Sequence, residues 1–199
     1  MDTLSDLAFH YGTDRGPGSH DYTSTYERIF EPVRDKVKTV LEMGTCDGKS
    51  ICMWRDYFPN AVIYGMDCQG VPEIELPEDL RLCLLRSNRK SAKGYKQLLS
   101  MCSVFDVIID VDAGFEVGHD VEIHKKAVGV LYDKHLALGG VYSIEGLFND
   151  EVVEFQQVSD WDVTKSKYMQ RLPDNYVGRD MWMIFRKKSG EVGRYGHPC

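Results

Sequence analysis

The twelve residues Thr39–Ser50, TVLEMGTCDGKS, constrain this chain more than any other stretch. Their apolar first half reads as a buried strand, the Gly44 and Gly48 pair as a tight turn, and the residues after it as a helix. A second apolar strand, AVIYGMD, ends on Asp67. A strand, a Gly-x-x-x-Gly turn, a helix and a carboxylate at the tip of the next strand together hold an adenosine-containing ligand. The glycines allow a close backbone approach, the helix start presents N–H groups, and the carboxylate accepts from both ribose hydroxyls.

The turn separates the candidate ligands. A dinucleotide fold needs Gly-x-Gly-x-x-Gly to admit a pyrophosphate. Here Cys46 and Lys49 stand at the second and third glycine positions, and Asp47 adds a negative charge. Glu42-Met43-Gly44-Thr45-Cys46-Asp47-Gly48 instead resembles motif I of the class I S-adenosylmethionine (SAM) methyltransferases, in which an acidic residue ends the strand and faces the cationic methionine portion.

Five apolar runs, four of them with Val or Ile and one of Leu, follow one another: Val37–Met43, Ala61–Met66, Leu80–Leu85, Val104–Ile109 and Gly140–Ile144. Residues 50–58, 91–102 and 122–136 have helical character between them. Short buried strands alternating with helices imply an α/β domain with a doubly wound, mostly parallel sheet. Glu154–Val158 and Met181–Arg186 read as two more strands that would close a seven-stranded sheet with an antiparallel edge hairpin. The whole chain, 1–199, reads as one domain, long enough for a full core. Residues 1–36 read as an N-terminal lid and helix, and 187–199 as a polar, frayed tail.

Six cysteines at 46, 52, 68, 83, 102 and 199 form no C-x-x-C pair and lie mostly in apolar segments, which argues against a zinc site or a disulfide scaffold. With no secretory signal or apolar run of membrane-spanning length, the expected compartment is a reducing cytoplasm with no membrane partner. A net charge of −7 disfavours broad nucleic-acid binding. One local exception is the cluster Arg81, Arg86, Arg89, Lys90, Lys93 and Lys96, readable as a solvated helix face or as a patch for an anionic substrate.

The N-terminal segment HYGTDRGPGSHDY is too rich in Gly and polar residues for helix. After it, Tyr26, Ile29, Phe30 and Val33 share one apolar helix face, with a Ser or Thr N-cap available ahead. This loop reads equally as a lid over the cofactor and as a packed arm.

His10-Tyr11-Gly12-Thr13-Asp14-Arg15-Gly16, then His20-Asp21-Tyr22 and Tyr26, resembles the YGTDKG…H-x-Y…Y opening of the macrocin-type sugar O-methyltransferases. The resemblance continues through Leu41–Gly44, Gly48, Ser50, Trp54, Tyr57–Asn60, Ile63–Asp67, Phe105–Asp110 and Leu138–Glu145, covering about residues 10 to 148. It implies the seven-stranded class I methyltransferase fold and SAM as cofactor. The implied contacts are Glu42, Gly44, Thr45, Gly48 and Ser50 at the turn, Asp67 at the ribose, and Tyr11, Gly12 and Thr13 from the lid. Ser87 and Asn88, after the third strand, are the expected adenine neighbours, and Asp110 is expected in the same pocket.

The departures from the family pattern fall at strand ends. Arg86-Ser87-Asn88-Arg89-Lys90 replaces Gly-Asp-Gln-Ser-Asp, a run from Asp110 to His119 replaces Asp-Asp-Gly-Ser-His, and Glu145-Gly146 replaces Glu-Asp. In the family such carboxylates hold Mg²⁺ and a nearby histidine is the candidate base. Asp110, Asp112 and Glu145 are the corresponding hard oxygen ligands here. His119, in the loop above the methyl donor, is the candidate base beside Asp110, and His124 and His135 read as structural or surface residues. The expected reaction is O-methylation of a hydroxyl on a small molecule or sugar, by in-line transfer with base or metal assistance. The alternatives are a nucleic-acid 2′-O-methyltransferase using residues 81–96, and a SAM-binding protein without catalysis.

Overall fold

A computed structural model describes residues 2–68, 79–111, 121–147 and 180–185. Five helices and six strands follow in chain order: α1 Leu4–Tyr11, α2 Tyr22–Phe30, β1 Thr39–Met43, α3 Lys49–Tyr57, β2 Val62–Asp67, β3 Leu82–Arg86, α4 Ala92–Met101, β4 Phe105–Val111, α5 Val121–His135, β5 Leu136–Leu147 and β6 Asp180–Phe185.

The strands form one sheet of order β3-β2-β1-β4-β5-β6. β1 to β5 run parallel, and β6 pairs antiparallel with β5. The order reverses at β1, so the carboxyl ends of β1 and β4 flank the crevice where open α/β sheets bind ligands. Among the described residues there are six strands rather than seven; the expected strand Glu154–Val158 and the tail 187–199 lie outside them.

Strand alternation divides the core between the two faces of the sheet. Val40, Ile63, Val107, Ile109 and Val141 pack with Leu4, Leu7, Tyr26, Phe30, Trp54 and Phe58 from the helices of the N-terminal half. Leu41, Met43, Met66, Ile108, Tyr142 and Ile144 pack on the other face with Tyr95, Leu98 and Leu131 of α4 and α5. Tyr26, Phe30 and Trp54 are fully buried and their rings pack edge-on or stacked. Side chains of that size contribute about 1.5–3 kcal/mol each on burial, so α2 is a structural layer of the domain.

Helix α1 is absent from the sequence reading. It starts on a reciprocal cap in which the Thr3 hydroxyl accepts from the Asp6 N–H while the Asp6 carboxylate accepts from the Thr3 N–H. It ends on Gly12 in the left-handed region, φ 67°. The predicted α2 face forms, but its N-cap is Asp21, also left-handed and without a side-chain cap bond, rather than a Ser or Thr. The helix stops at Phe30, because Pro32 has no N–H with which to continue it.

Candidate functional site

The turn after β1 is tied to the tips of its neighbours. Gly44 N–H donates to the Met66 carbonyl at 2.9 Å. Cys46, held at φ 45°, donates its N–H to Asp67 Oδ2 at 3.0 Å. Gly48, at φ 77°, starts α3 with no side-chain cap. Gly44 has φ 91°, and a Cβ there would sit 3.0 Å from the Val111 carbonyl oxygen. The absence of a side chain at Gly44 therefore serves packing against β4, where the sequence suggested an approach to ligand. Ser87 donates its N–H to the Asp67 carbonyl at 2.8 Å, and Asn88 Oδ1 accepts from the Lys90 N–H at 2.7 Å. Ser87 and Asn88 thus stand beside the Asp67 tip, where an adenine neighbour was expected. The Ser87 hydroxyl lies so close to α4 that a Cβ on Gly94 would be 2.1 Å from it.

Glu42, fully buried, faces the side of the sheet covered by α2 and α3. Its Oε1 accepts from Ser50 Oγ at 2.6 Å and from Arg15 Nη2 at 2.9 Å. Its Oε2 is buried without a hydrogen bond of good geometry among the described residues, and the equally buried Trp54 indole N–H lies near the carboxylate. Burial pushes the Glu42 carboxyl above its ordinary range, while Arg15 and Ser50 oppose that rise. Arg15 Nε reaches both oxygens of Glu145, at 3.0 and 3.2 Å. Tyr26 donates its hydroxyl to Glu145 Oε1 at 2.6 Å and lies 2.8 Å from Ser143 Oγ. Burial alone would lower the Arg15 pKa, but Glu145 and Glu42 outweigh it and raise the value, so the guanidinium stays charged.

Asp110 belongs to the opposite face. In register Met43 pairs with Asp110 and Glu42 with Ile109, while Val111 pairs with Glu145. Asp110 therefore lies on the Met43 and Ile144 side of the sheet, and Glu145 on the Glu42 and Val111 side. Asp110 Oδ1 accepts from Arg89 Nη1 at 2.6 Å, and Oδ2 accepts from the Tyr142 hydroxyl at 2.9 Å. His124 Nδ1 lies 3.0 Å from Oδ2. Burial would raise the Asp110 pKa, but His124, Arg89 and Tyr142 together bring it below the ordinary value.

Three expectations change as a result. Asp110 and Glu145 do not converge on one ion: they occupy opposite faces, and each already carries a cation of the chain. No group of three or more candidate metal ligands forms among the described residues, and Asp112 and His119 lie outside them. Arg89 is not part of a solvated face, since it is buried on Asp110. Arg81 is likewise engaged, its Nη1 on the carbonyls of Arg55 and Pro59 at 3.1 and 3.2 Å, which leaves Arg86, Lys90, Lys93 and Lys96 exposed. His124, read as structural or surface, is a buried partner of Asp110.

The N-terminal residues divide in the same way. The Tyr11 hydroxyl donates to Asp56 and accepts from Arg55 Nη2 at 3.1 Å, on the second turn of α3 and away from the glycine turn. Its pKa is pushed up to about 12 by burial and by Asp56. Gly12 closes α1, and Thr13 Oγ1 accepts the Arg15 N–H at 3.1 Å. The side chain that reaches the acidic strand ends from this segment is Arg15. Its one sequence signal was its place inside the YGTDRG block.

No family model matches the chain. The 8-demethyl-8-alpha-L-rhamnosyl tetracenomycin-C 2′-O-methyltransferase of Streptomyces olivaceus is 30% identical over 179 residues, covering 86% of this chain and 45% of that protein. The L-olivosyl-oleandolide 3-O-methyltransferase of Streptomyces antibioticus is 30% identical over 73% of this chain and 37% of its own length. Among solved structures, the MycE methyltransferase of the mycinamycin biosynthetic pathway, in complex with Mg, SAH and mycinamycin VI, superposes with a TM-score of 0.61 at 26% identity, over 73% of this chain and 39% of that one. The chain spans less than half the length of these relatives. In sequence and in fold it is a divergent relative of the natural-product sugar O-methyltransferases.

Proposed function

We propose that this domain binds SAM across the β1 turn and the tip of β2 and transfers its methyl group to a hydroxyl of a sugar or another small hydroxylated molecule. The observation that carries the reading is Asp67 Oδ2 held on the Cys46 N–H, which fixes a carboxylate beside the glycine turn at the switch point of the sheet. The buried Glu42 carboxylate supports it, because a cationic sulfonium cofactor suits an acidic strand end and a diphosphate does not. Bound there, SAM supplies an activated methyl group. Asp67 holds the ribose, Ser87 and Asn88 border the adenine, and Gly44, Thr45, Gly48, Ser50 and Glu42 frame the turn. Residues 12–21, fastened by Arg15, lie over this end as its cover, and His119 takes the acceptor's proton near neutral pH.

The identity of the relatives supports a sugar acceptor. Cys46, Cys52, Cys68, Cys83 and Cys102 are free thiols, which suits the reducing cytoplasm in which we place the protein. No helix among the described residues is long and apolar enough to cross a membrane. Calorimetry with S-adenosylhomocysteine (SAH) tests the cofactor, and methyl transfer to a panel of deoxysugar glycosides tests the acceptor. Absence of SAH binding by the folded protein refutes the reading.

One observation favours a second reading, cofactor binding without transfer. The Asp110 carboxylate, a candidate for assisting the reaction, is closed off by Arg89, Tyr142 and His124. SAH binding without turnover on any acceptor selects it.

A further inference from the structure

We infer that Arg15 occupies, as part of the chain, the place where a divalent cation would otherwise neutralise Glu145, so that the pocket takes its cofactor without a divalent cation. The inference rests on the SAM reading for its cofactor and on this chain's own residues for the rest.

Both Glu145 oxygens already receive the Arg15 Nε–H, and Oε1 also receives the Tyr26 hydroxyl. Glu145 is 2% exposed, whereas Mg²⁺ keeps several waters and asks for near-octahedral space around them. A dication beside the carboxylate would also meet the guanidinium charge at short range and low dielectric. Arg15 cannot relax outward without loss, because its Nη2 holds Glu42 at 2.9 Å, so one planar fork serves two carboxylates.

Among the described residues no second carboxylate stands beside Glu145 to chelate an ion with it. The residue paired with Glu145 on β4 is Val111, the next residue on β5 is Gly146, and Asp110 faces the other side of the sheet, paired with Arg89 and His124. The acidic ends of β1 and β5 thus share one guanidinium, delivered from the N-terminal segment, and keep a net negative charge between them.

The test uses Mn²⁺ as a spectroscopic stand-in for Mg²⁺. Native protein and Glu145→Gln, which keeps the Arg15–Glu42 pair, are titrated with Mn²⁺ by electron paramagnetic resonance, and SAH affinity of the native protein is measured with EDTA and with excess Mg²⁺. The inference holds if native protein binds no Mn²⁺, or binds it equally with and without Glu145, and if SAH affinity changes by less than about twofold between EDTA and Mg²⁺. It is overturned if Mn²⁺ bound by native protein is released by Glu145→Gln, or if EDTA weakens SAH binding by about tenfold or more. Should Glu145→Gln fail to fold, the EDTA comparison on native protein decides. Failure to bind SAH under any condition refutes the cofactor reading, and the Mn²⁺ titration still decides the role of Arg15.

Discussion

Asp67 and Cys46 are joined by a 3.0 Å bond from the Cys46 backbone N–H to Asp67 Oδ2, which ties the end of β2 to the turn after β1. The carboxylate proposed to hold the ribose is therefore oriented by the chain itself. Asp67→Ala removes both the orientation and the charged acceptor. Hydrogen bonds to charged groups contribute about 1.5–3 kcal/mol, so SAH affinity should fall by about 10- to 100-fold. Isothermal calorimetry reads the change, and an unaltered Kd would remove Asp67 from the site.

Gly44→Ala should destabilise the domain even without cofactor. The new Cβ would sit 3.0 Å from the Val111 carbonyl and 3.3 Å from its Cβ, on a backbone at φ 91° that L-residues rarely adopt. A cost of about 1–3 kcal/mol is expected, read as a lower urea midpoint with an unchanged slope.

Arg15→Lys keeps the charge but loses the planar fork that spans Glu42 and Glu145. One of the two buried carboxylates then loses its cationic partner and keeps only a hydroxyl donor, Ser50 for Glu42 or Tyr26 for Glu145, at a cost of about 1–3 kcal/mol. Chemical denaturation checks this, and stability equal to the native protein would mean that a point charge suffices.

Asp110 makes folding sensitive to acid. Its native pKa lies below the ordinary value through His124, Arg89 and Tyr142, so as pH falls the unfolded chain takes up the proton first. Its stabilisation is complete above the usual carboxylate range and is lost as pH falls through the native value. Asp110→Asn leaves Arg89 buried without its counter-charge, at about 3–5 kcal/mol near neutrality. The gap in melting temperature between native protein and variant should narrow below about pH 4. Glu42, whose pKa burial raises, titrates with the opposite sign, but it is present in both proteins and cancels in the difference.

The parts of the site that could be read from the chain are those encoded within a few residues. The glycine turn, the Asp67 tip and the alternation of apolar runs with helices are local patterns, and they place β1 to β5 within a few residues of their observed bounds. Helix α1 has a local signal too, a Thr3-x-x-Asp6 capping pair with Leu4, Leu7 and Ala8 on one face, but it is short and runs directly into Gly-rich residues that break the helical pattern. The charge pairing was not legible. Arg15 meets partners 27 and 130 residues away, and Arg89 looks solvated because it lies in a basic run. Whether two strand-end carboxylates share a face depends on the register of β4 against β5. That register is set by packing, and it places Val111, not Asp110, beside Glu145.

The placement of Asp110 and Glu145 on opposite faces of the sheet has an evolutionary corollary. Among the described residues the two carboxylates share no hydrogen-bond or salt-bridge partner, so substitutions around one should show little epistasis with substitutions around the other. A lineage can then drift at the Arg89–His124 side while the Arg15 side stays under selection, or the reverse.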